Sequence, residues 1–224
     1  MKPFNNLLVL PILAYFAIFW ANKNGSHSTT AKKATRSKQV LLVYTGSLAG
    51  ATNFDIGVHI EMDTAIGFRY DVTFEKGTTV MSHVAIFYKF SKPTETITYN
   101  YRNHSVSIND CCGSPDSDPQ VSVMGMETVD NFPCTHLQHT STSTNFTEVA
   151  DYWVSTKLPG FQQLAGALNK LQMTINKTVF KWGGLVKMIT TYSDKKGTRQ
   201  GTLQLREANT DIELPASDFD VPSH

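Results

Sequence analysis

From residue 54 onward the chain alternates apolar and polar positions with a period of two, the pattern of a strand with one buried face. Ile56, Val58, Ile60 and Met62 share one face, against Gly57, His59 and Glu61 on the other. Phe68, Tyr70, Val72 and Phe74 repeat the scheme against Arg69, Asp71, Thr73 and Glu75, and Gly67 between the two runs predicts a hairpin. Lys76-Gly77 marks a turn, and a more heavily apolar strand follows over 80–90. Ile97, Tyr99 and Tyr101 alternate with Thr96, Thr98, Asn100 and Arg102, and Val106 and Ile108 form a short further run. The breaker-rich stretch 110–119, DCCGSPDSDP, reads as a loop. Strands are expected over 121–129 and 134–140, then a Ser/Thr/Asn-rich turn over 140–147, and then strands over 152–155, 185–192 and 198–208.

The period changes once. Phe161, Leu164, Ala165, Leu168 and Leu171 stand at i, i+3, i+4, i+7 and i+10, one stripe of a helix near 159–172, with Pro159 at its start. About ten strands against one helix predict an α+β, β-rich fold: a curved antiparallel sheet, an incomplete barrel, wrapped around that helix. A flat ten-strand sheet would be roughly 45 Å wide, and a helix about 10 Å across covers two or three of its strands. The remaining apolar face must be buried by curling of the sheet. Residues 39–50, QVLLVYTGSLAG, are expected as another covering element. Any apolar concavity left over is a candidate ligand pocket; a fully filled core is the alternative.

The N-terminal segment changes the picture of where such a domain works. Residues 7–21, LLVLPILAYFAIFWA, are apolar without a break and follow Lys2. At ~1.5 Å per residue a helix of this length spans about 22 Å, short of a ~30 Å bilayer core. Length and flank fit a signal peptide's apolar region, and Pro11 argues against one regular spanning helix. Phe19 sits where a cleavage site wants a small residue, so the segment is expected as a signal peptide or as an N-terminal membrane anchor over 1–21. Residues 22–38 read as a basic flexible linker, and 39–224 as the β domain. The expected location is periplasmic or secreted, with inner-membrane anchoring if the segment is retained. More basic residues follow the apolar run than precede it, which is the reverse of what an N-in anchor prefers.

Charge excludes one class of partner. Residues 1–38 carry six cations and no acid, and the first acid is Asp55. The remainder holds 14 basic against 19 acidic residues, a net of about −5 by simple counting. An acidic domain is a poor match for nucleic acid, whose phosphates need a cationic surface.

Several stretches carry a family resemblance. They are Phe132-Pro133-Cys134-Thr135-His136, Trp153-Val154, Leu158-Pro159-Gly160-Phe161, Gly183-Gly184-Leu185-Val186-Lys187, and the end motif Leu214-Pro215-Ala216-Ser217-Asp218-Phe219-Asp220-Val221-Pro222. Together they resemble an uncharacterised bacterial envelope family of the outer-membrane lipoprotein carrier (LolA-like) type. The resemblance covers about the last 90 residues well, 53–90 loosely, and 91–130 not at all. It implies a curved sheet around a helical plug, with a concave face that holds acyl chains. It implies no catalytic residue. On that reading Phe68, Tyr70, Phe74, Trp153, Phe161, Leu164, Leu168 and Trp182 would line the ligand; the plainer account of these side chains is core packing.

Candidate chemistry is sparse. Cys111, Cys112, Cys134, His136 and His139 could supply metal donors, but C-x-H-x-x-H matches no standard zinc spacing. In an oxidising envelope a disulfide from Cys134 to Cys111 or Cys112 would close a loop of about 22 residues and add about 3 kcal/mol. Three reduced thiols are the alternative. The chain has no G-x-S-x-G elbow, no H-E-x-x-H, no G-x-G-x-x-G and no phosphate loop. Asp110, Asp116 and Asp118 lack the closing Glu of a calcium loop. The expectation is a non-enzymatic envelope protein without a cofactor, binding a lipid, an acyl chain or a lipoprotein and touching the membrane through its N-terminal segment. The rivals are a scaffold or interaction domain with a filled core, and a metal-binding protein using Cys134 and His136.

Overall fold

A computed structural model describes residues 38–50, 53–92, 95–110, 120–170, 179 and 181–222. The meander begins with β1 (Gln39–Ala49), β2 (Phe54–Asp63), β3 (Gly67–Lys76), β4 (Thr79–Lys89), β5 (Glu95–Asn100) and β6 (Ser105–Asp110). It resumes with β7 (Ser122–Val129), β8 (Phe132–Thr142) and β9 (Phe146–Ser155), then helix α1 (Phe161–Lys170), β10 (Gly184–Asp194) and β11 (Gly197–Asn209). All eleven strands form one sheet in the order β6-β5-β4-β3-β2-β1-β11-β10-β9-β8-β7. The fold is the β-rich, curved antiparallel sheet that the periodicity predicts, and it does not close into a barrel.

Two elements differ from expectation. The stretch 39–50 is no separate cover: β1 lies in the middle of the sheet, paired with β2 and β11. Its inward row is Val40, Leu42 and Tyr44, all buried, but Leu41 and Val43 on the other face are apolar too, which hides the alternation. β9 starts at Phe146, six residues before the expected strand at 152, because polar Glu148 shares a face with Ala150 and Tyr152 and breaks the apolar row.

Neighbouring strands are consecutive in sequence everywhere except at β1 and β11, where the first strand meets the last. The unpaired edges are β6 and β7. Because every pairing is antiparallel and the strand number is odd, these two edges run in the same direction. No antiparallel ladder can join them directly, and no pairing between them closes the sheet. The edges still cannot be far apart. A flat sheet of eleven strands is about 48 Å from edge to edge, whereas the chain from Asp110 to Ser122 reaches at most about 42 Å when fully extended. The sheet must curl.

Curling leaves one face concave. Packed there are Val40, Leu42 and Tyr44 of β1, Ile56, Val58 and Met62 of β2, and the Phe68–Phe74 row of β3. From the other half come Leu137 of β8, Tyr152 and Val154 of β9, Leu185 and Met188 of β10, and Leu203 and Leu205 of β11. Helix α1 enters this face from the end where β9 stops and β10 starts, with Leu158, Phe161 and Leu164 buried against the sheet. The Leu158-Pro159-Gly160-Phe161 motif has a steric basis here. Gly160 has φ +77°, and a Cβ on it would come within 2.5 Å of Val40. Only glycine fits that approach without strain.

The C-terminal segment lies on the opposite, convex face. A short 3-10 helix, Ala216–Phe219, packs on β3, and Phe219 is among the most deeply buried side chains. Val221, two residues on, packs with Ala85, Phe87 and Tyr99. Lys89 pairs with Asp220 at 2.7 Å, and Arg69 Nη1 donates to the Asp218 carbonyl at 3.3 Å. The end motif therefore covers apolar surface on the outside of β3–β5.

Candidate functional site on the concave face

Strand parity sorts the expected ligand-lining residues. Phe68, Tyr70 and Phe74 alternate inward along β3, where Phe68 stacks on Tyr88 of β4 with ring centroids 4.4 Å apart. Phe161 and Leu164, one helical turn apart on α1, join the same cluster. These five are brought together, and all are buried. Leu168 belongs to α1, but its side chain lies outside the described residues. Trp182 sits just before β10 and is 36% exposed, with Lys181 Nζ 5.9 Å from its ring centre.

Trp153 points the other way. Its neighbours Tyr152 and Val154 face the concave cluster, so the alternation of β9 turns Trp153 to the convex side. There the indole is flanked by two cross-strand partners. His136 of β8 stacks on it at 4.4 Å, and Lys187 Nζ of β10 stands 4.6 Å from the ring centre. Trp153 Nε1 donates to Glu127 Oε1 of β7, and His136 Nε2 lies 2.9 Å from Asp151 Oδ1. This cluster is a polar and aromatic clamp that fastens the edge hairpin β7–β8 to β9 and β10.

The same clamp contains the residues considered for metal. Cys134 and His136 share the convex face, but the Cys134 thiol points to the Phe132 carbonyl at 3.4 Å, and His136 meets Asp151 and Glu127. Among the described residues no three His, Cys, Asp or Glu side chains form a metal-binding group. Cys134 is a free, buried thiol, and burial raises its pKa above the ordinary thiol value. Its expected disulfide partners, Cys111 and Cys112, lie outside the described residues.

The concave face holds several residues that the sequence reading did not single out. Tyr44 is deeply buried and donates to the Leu185 carbonyl at 3.0 Å, tying β1 to β10 across the interior. Burial pushes the phenols of Tyr44 and Tyr70 well above their usual pKa, so both stay neutral. Tyr152 and Leu137 complete the far wall. The signal for Tyr152 was present in its spacing from Val154. The sequence does not say which of the two faces at 152–155 turns inward.

The apolar lining continues to the open edge. Val123 and Met126 of β7 pair with Leu137 and Thr135, and so lie on the concave side. Both are exposed, Met126 at 79%. On the opposite edge the sides invert. Ser107 and Asn109 of β6 flank inward Thr98 and Thr96, while Val106 and Ile108 project to the convex side. The seam is thus lined by methionine and valine on one lip and by small polar side chains on the other.

A family model described as a domain of unknown function, DUF4412, matches residues 59–224. The chain belongs to that family. No curated protein matches it. Similar solved structures include a DUF1329 family protein from Desulfovibrio piger, at 9% identity and TM-score 0.36, covering 82% of this chain and 90% of that one. A putative outer membrane lipoprotein-sorting protein domain from Vibrio parahaemolyticus shows 8% identity and TM-score 0.35, covering 81% and 89%. The lipoprotein LppX from Mycobacterium tuberculosis shows 9% identity and TM-score 0.35, covering 80% and 90%. The likeness to lipoprotein-sorting proteins expected from the sequence motifs is present among these structures.

Proposed function

We propose that this chain is a non-enzymatic cell-envelope protein that takes up an apolar ligand, such as an acyl chain, a lipid or the lipid part of a lipoprotein, on the concave face of its sheet. The observation that carries the reading is the continuity of the apolar lining. It runs from the aromatic row of β3 across β1 and β11 to β8 and reaches a seam that no ladder closes, with Val123 and Met126 exposed at its lip. Methionine suits such a lip, because its flexible thioether adapts to ligands of different shape. Affinity would come from burial alone, at ~0.8 kcal/mol per methylene, with no charged contact needed. The expected envelope location rests on the apolar segment 7–21 and its cationic start.

The tight burial of Phe68, Tyr70, Phe74, Phe161 and Leu164 favours a second reading, an interaction domain whose core is already filled. One experiment separates the two. Native mass spectrometry of the purified protein, together with titration by the hydrocarbon fluorophore diphenylhexatriene, should show co-purified lipid or saturable one-to-one probe binding. Absence of both leaves the filled-core reading standing and removes the first.

A further inference from the structure

Strands β5 and β6 invert the polarity of the sheet. Their concave positions are Thr96, Thr98 and Asn100 on β5 and, opposite them, Asn109, Ser107 and Ser105 on β6. All six are polar and uncharged. Their convex positions are Ile97, Tyr99 and Tyr101 on β5, with Val106 and Ile108 on β6. On the adjoining β3 and β4 the concave side is apolar, with Phe68, Tyr70, Ile86 and Tyr88. Exposure does not explain the inversion. Val106 and Ile108 are 43% and 63% exposed on the convex side, and Ser105, Ser107 and Asn109 are exposed on the concave side. Both sides of β6 meet solvent, yet only the concave one is polar. On the other lip of the seam, concave Val123 and Met126 of β7 are exposed and apolar.

The six side chains form a stripe two strands wide and three rows long. Rows on one face of a strand repeat every ~6.8 Å and strands lie ~4.8 Å apart, so the stripe is about 14 Å long. Part of its hydrogen-bonding capacity is used locally. Thr96 Oγ1 donates to the Asn109 carbonyl at 3.3 Å, Asn100 Oδ1 accepts from the Arg102 amide at 2.9 Å, and Ser105 Oγ donates to Asn103 Oδ1 at 2.7 Å. The side chains of Thr98, Ser107 and Asn109 make no hydrogen bond with any described residue. Charge stands at the two ends of the stripe. Lys92 pairs with Glu95 at 2.9 Å, and Arg102 Nη1 donates to the Met81 carbonyl at 3.4 Å. Hydroxyls and carboxamides both donate and accept, which matches them to the hydroxyl groups of a neutral partner. They give an ion no countercharge within the stripe itself.

Resting on the proposed function, we infer that the concave stripe of β5 and β6 is the subsite for the polar head of the ligand, and that this head is an uncharged polyol, a sugar or a glycerol. Thr98, Ser107 and Asn109 bond its hydroxyls. The tail follows the apolar lining that begins one strand away, at Ile86 and Tyr88 of β4. The ligand is then an amphiphile laid across the boundary between β5 and β4, and not a plain hydrocarbon.

The test uses the purified full chain and its Thr98→Val, Ser107→Ala double variant, which removes two hydroxyls with little change of shape. Four amphiphiles of equal chain length are titrated calorimetrically below their micelle thresholds: decyl glucoside, monodecanoylglycerol, decyltrimethylammonium and decyl sulfate. Diphenylhexatriene, which has no head, is titrated by fluorescence. The parent should bind at least one neutral amphiphile about tenfold more tightly than either charged one, and the tighter of the neutral pair names the head. The double variant should lose about tenfold for that amphiphile, the loss of one or two hydrogen bonds, while binding diphenylhexatriene within twofold and melting with the parent. Val106→Ser, on the convex side of the same strand, should change none of these affinities. If the double variant holds the neutral amphiphiles as the parent does while diphenylhexatriene still binds, the head lies elsewhere and the proposed function stands. An equal loss in Val106→Ser would trace the effect to a disturbed edge strand and overturn the contact. A charged amphiphile bound as tightly as the neutral ones overturns the uncharged head. If the parent binds neither diphenylhexatriene nor any of the four, the subsite and the function on which it rests fall together.

Discussion

The carboxamide of Gln39 bonds both backbone groups of Leu214: Nε2 donates to the carbonyl oxygen at 3.1 Å, and Oε1 accepts from the amide at 2.8 Å. The first residue of β1 thus holds the segment that crosses the convex face, 175 residues away in sequence. Nε2 also donates to Asp63 Oδ2 at 2.8 Å, which draws the end of β2 into the same network.

Replacing Gln39 with Ala removes all three bonds and leaves the partly buried Leu214 backbone groups exposed to an apolar surround. Gln39→Ala should lower stability by about 1–3 kcal/mol, the range for unsatisfied polar groups of this kind. The C-terminal segment should loosen first. Limited proteolysis followed by mass analysis should show new cleavage near 210–218 in the variant, at protease levels the parent resists. Equal cleavage in both would mean that Phe219 and Val221 hold the segment without help from Gln39.

Trp153 separates packing from ligand contact. Its indole is clamped on the convex side by His136, Lys187 and Glu127, on the far side of the sheet from the concave cluster. Trp153→Ala should cost about 3–5 kcal/mol, as truncations of large buried aromatics do. It should leave the dissociation constant for diphenylhexatriene within twofold in protein that remains folded. Chemical denaturation and probe titration on the same sample measure both quantities. Weaker probe binding at full folding would bring Trp153 back to the ligand.

The eight side chains expected at a ligand show what a single sequence can and cannot say. The β3 row and the helix stripe were legible because their periods, two and 3.6, each select one face. Trp153 was not, since adjacent residues on a strand lie on opposite faces and both faces of 152–154 are apolar or aromatic. Parity there is set by pairing with β8 and β10, through His136 and Lys187, which are distant in sequence. The central place of β1 was hidden for a related reason: Val40–Val43 is apolar on both faces, so it has no readable period.

Cys134 should be chemically quiet in the folded protein. Its side chain is fully buried under Val129, Phe132 and Trp153, and burial raises the thiol pKa, which lowers the reactive thiolate fraction. A Cys111→Ser, Cys112→Ser variant leaves Cys134 as the single thiol. Labelling of that variant by a disulfide-exchange reagent at pH 8 should be at least about 100-fold slower when folded than in denaturant. Comparable rates in the two states would show that the β7–β8 hairpin opens readily.

Glu61 gives stability a pH dependence of definite sign. It stands beside Arg69 on the convex face, and one carboxylate oxygen is buried without a partner. Burial raises its pKa above the ordinary carboxylate value, and the attraction of Arg69 only partly opposes this. A carboxyl whose pKa is higher folded than unfolded binds its proton more tightly in the native state. Its contribution to stability is fully present below the unfolded pKa of about 4.3 and is lost as pH rises through the folded value. Glu61→Gln carries no charge and removes this slope. The variant should melt at a higher temperature than the parent at pH 7, and the gap should narrow toward zero as the pH falls to about 4. Melting curves for the two proteins from pH 4 to pH 8 measure the gap directly. A lower melting temperature for Glu61→Gln at pH 7 would show that attraction to Arg69 outweighs the cost of burying the carboxylate.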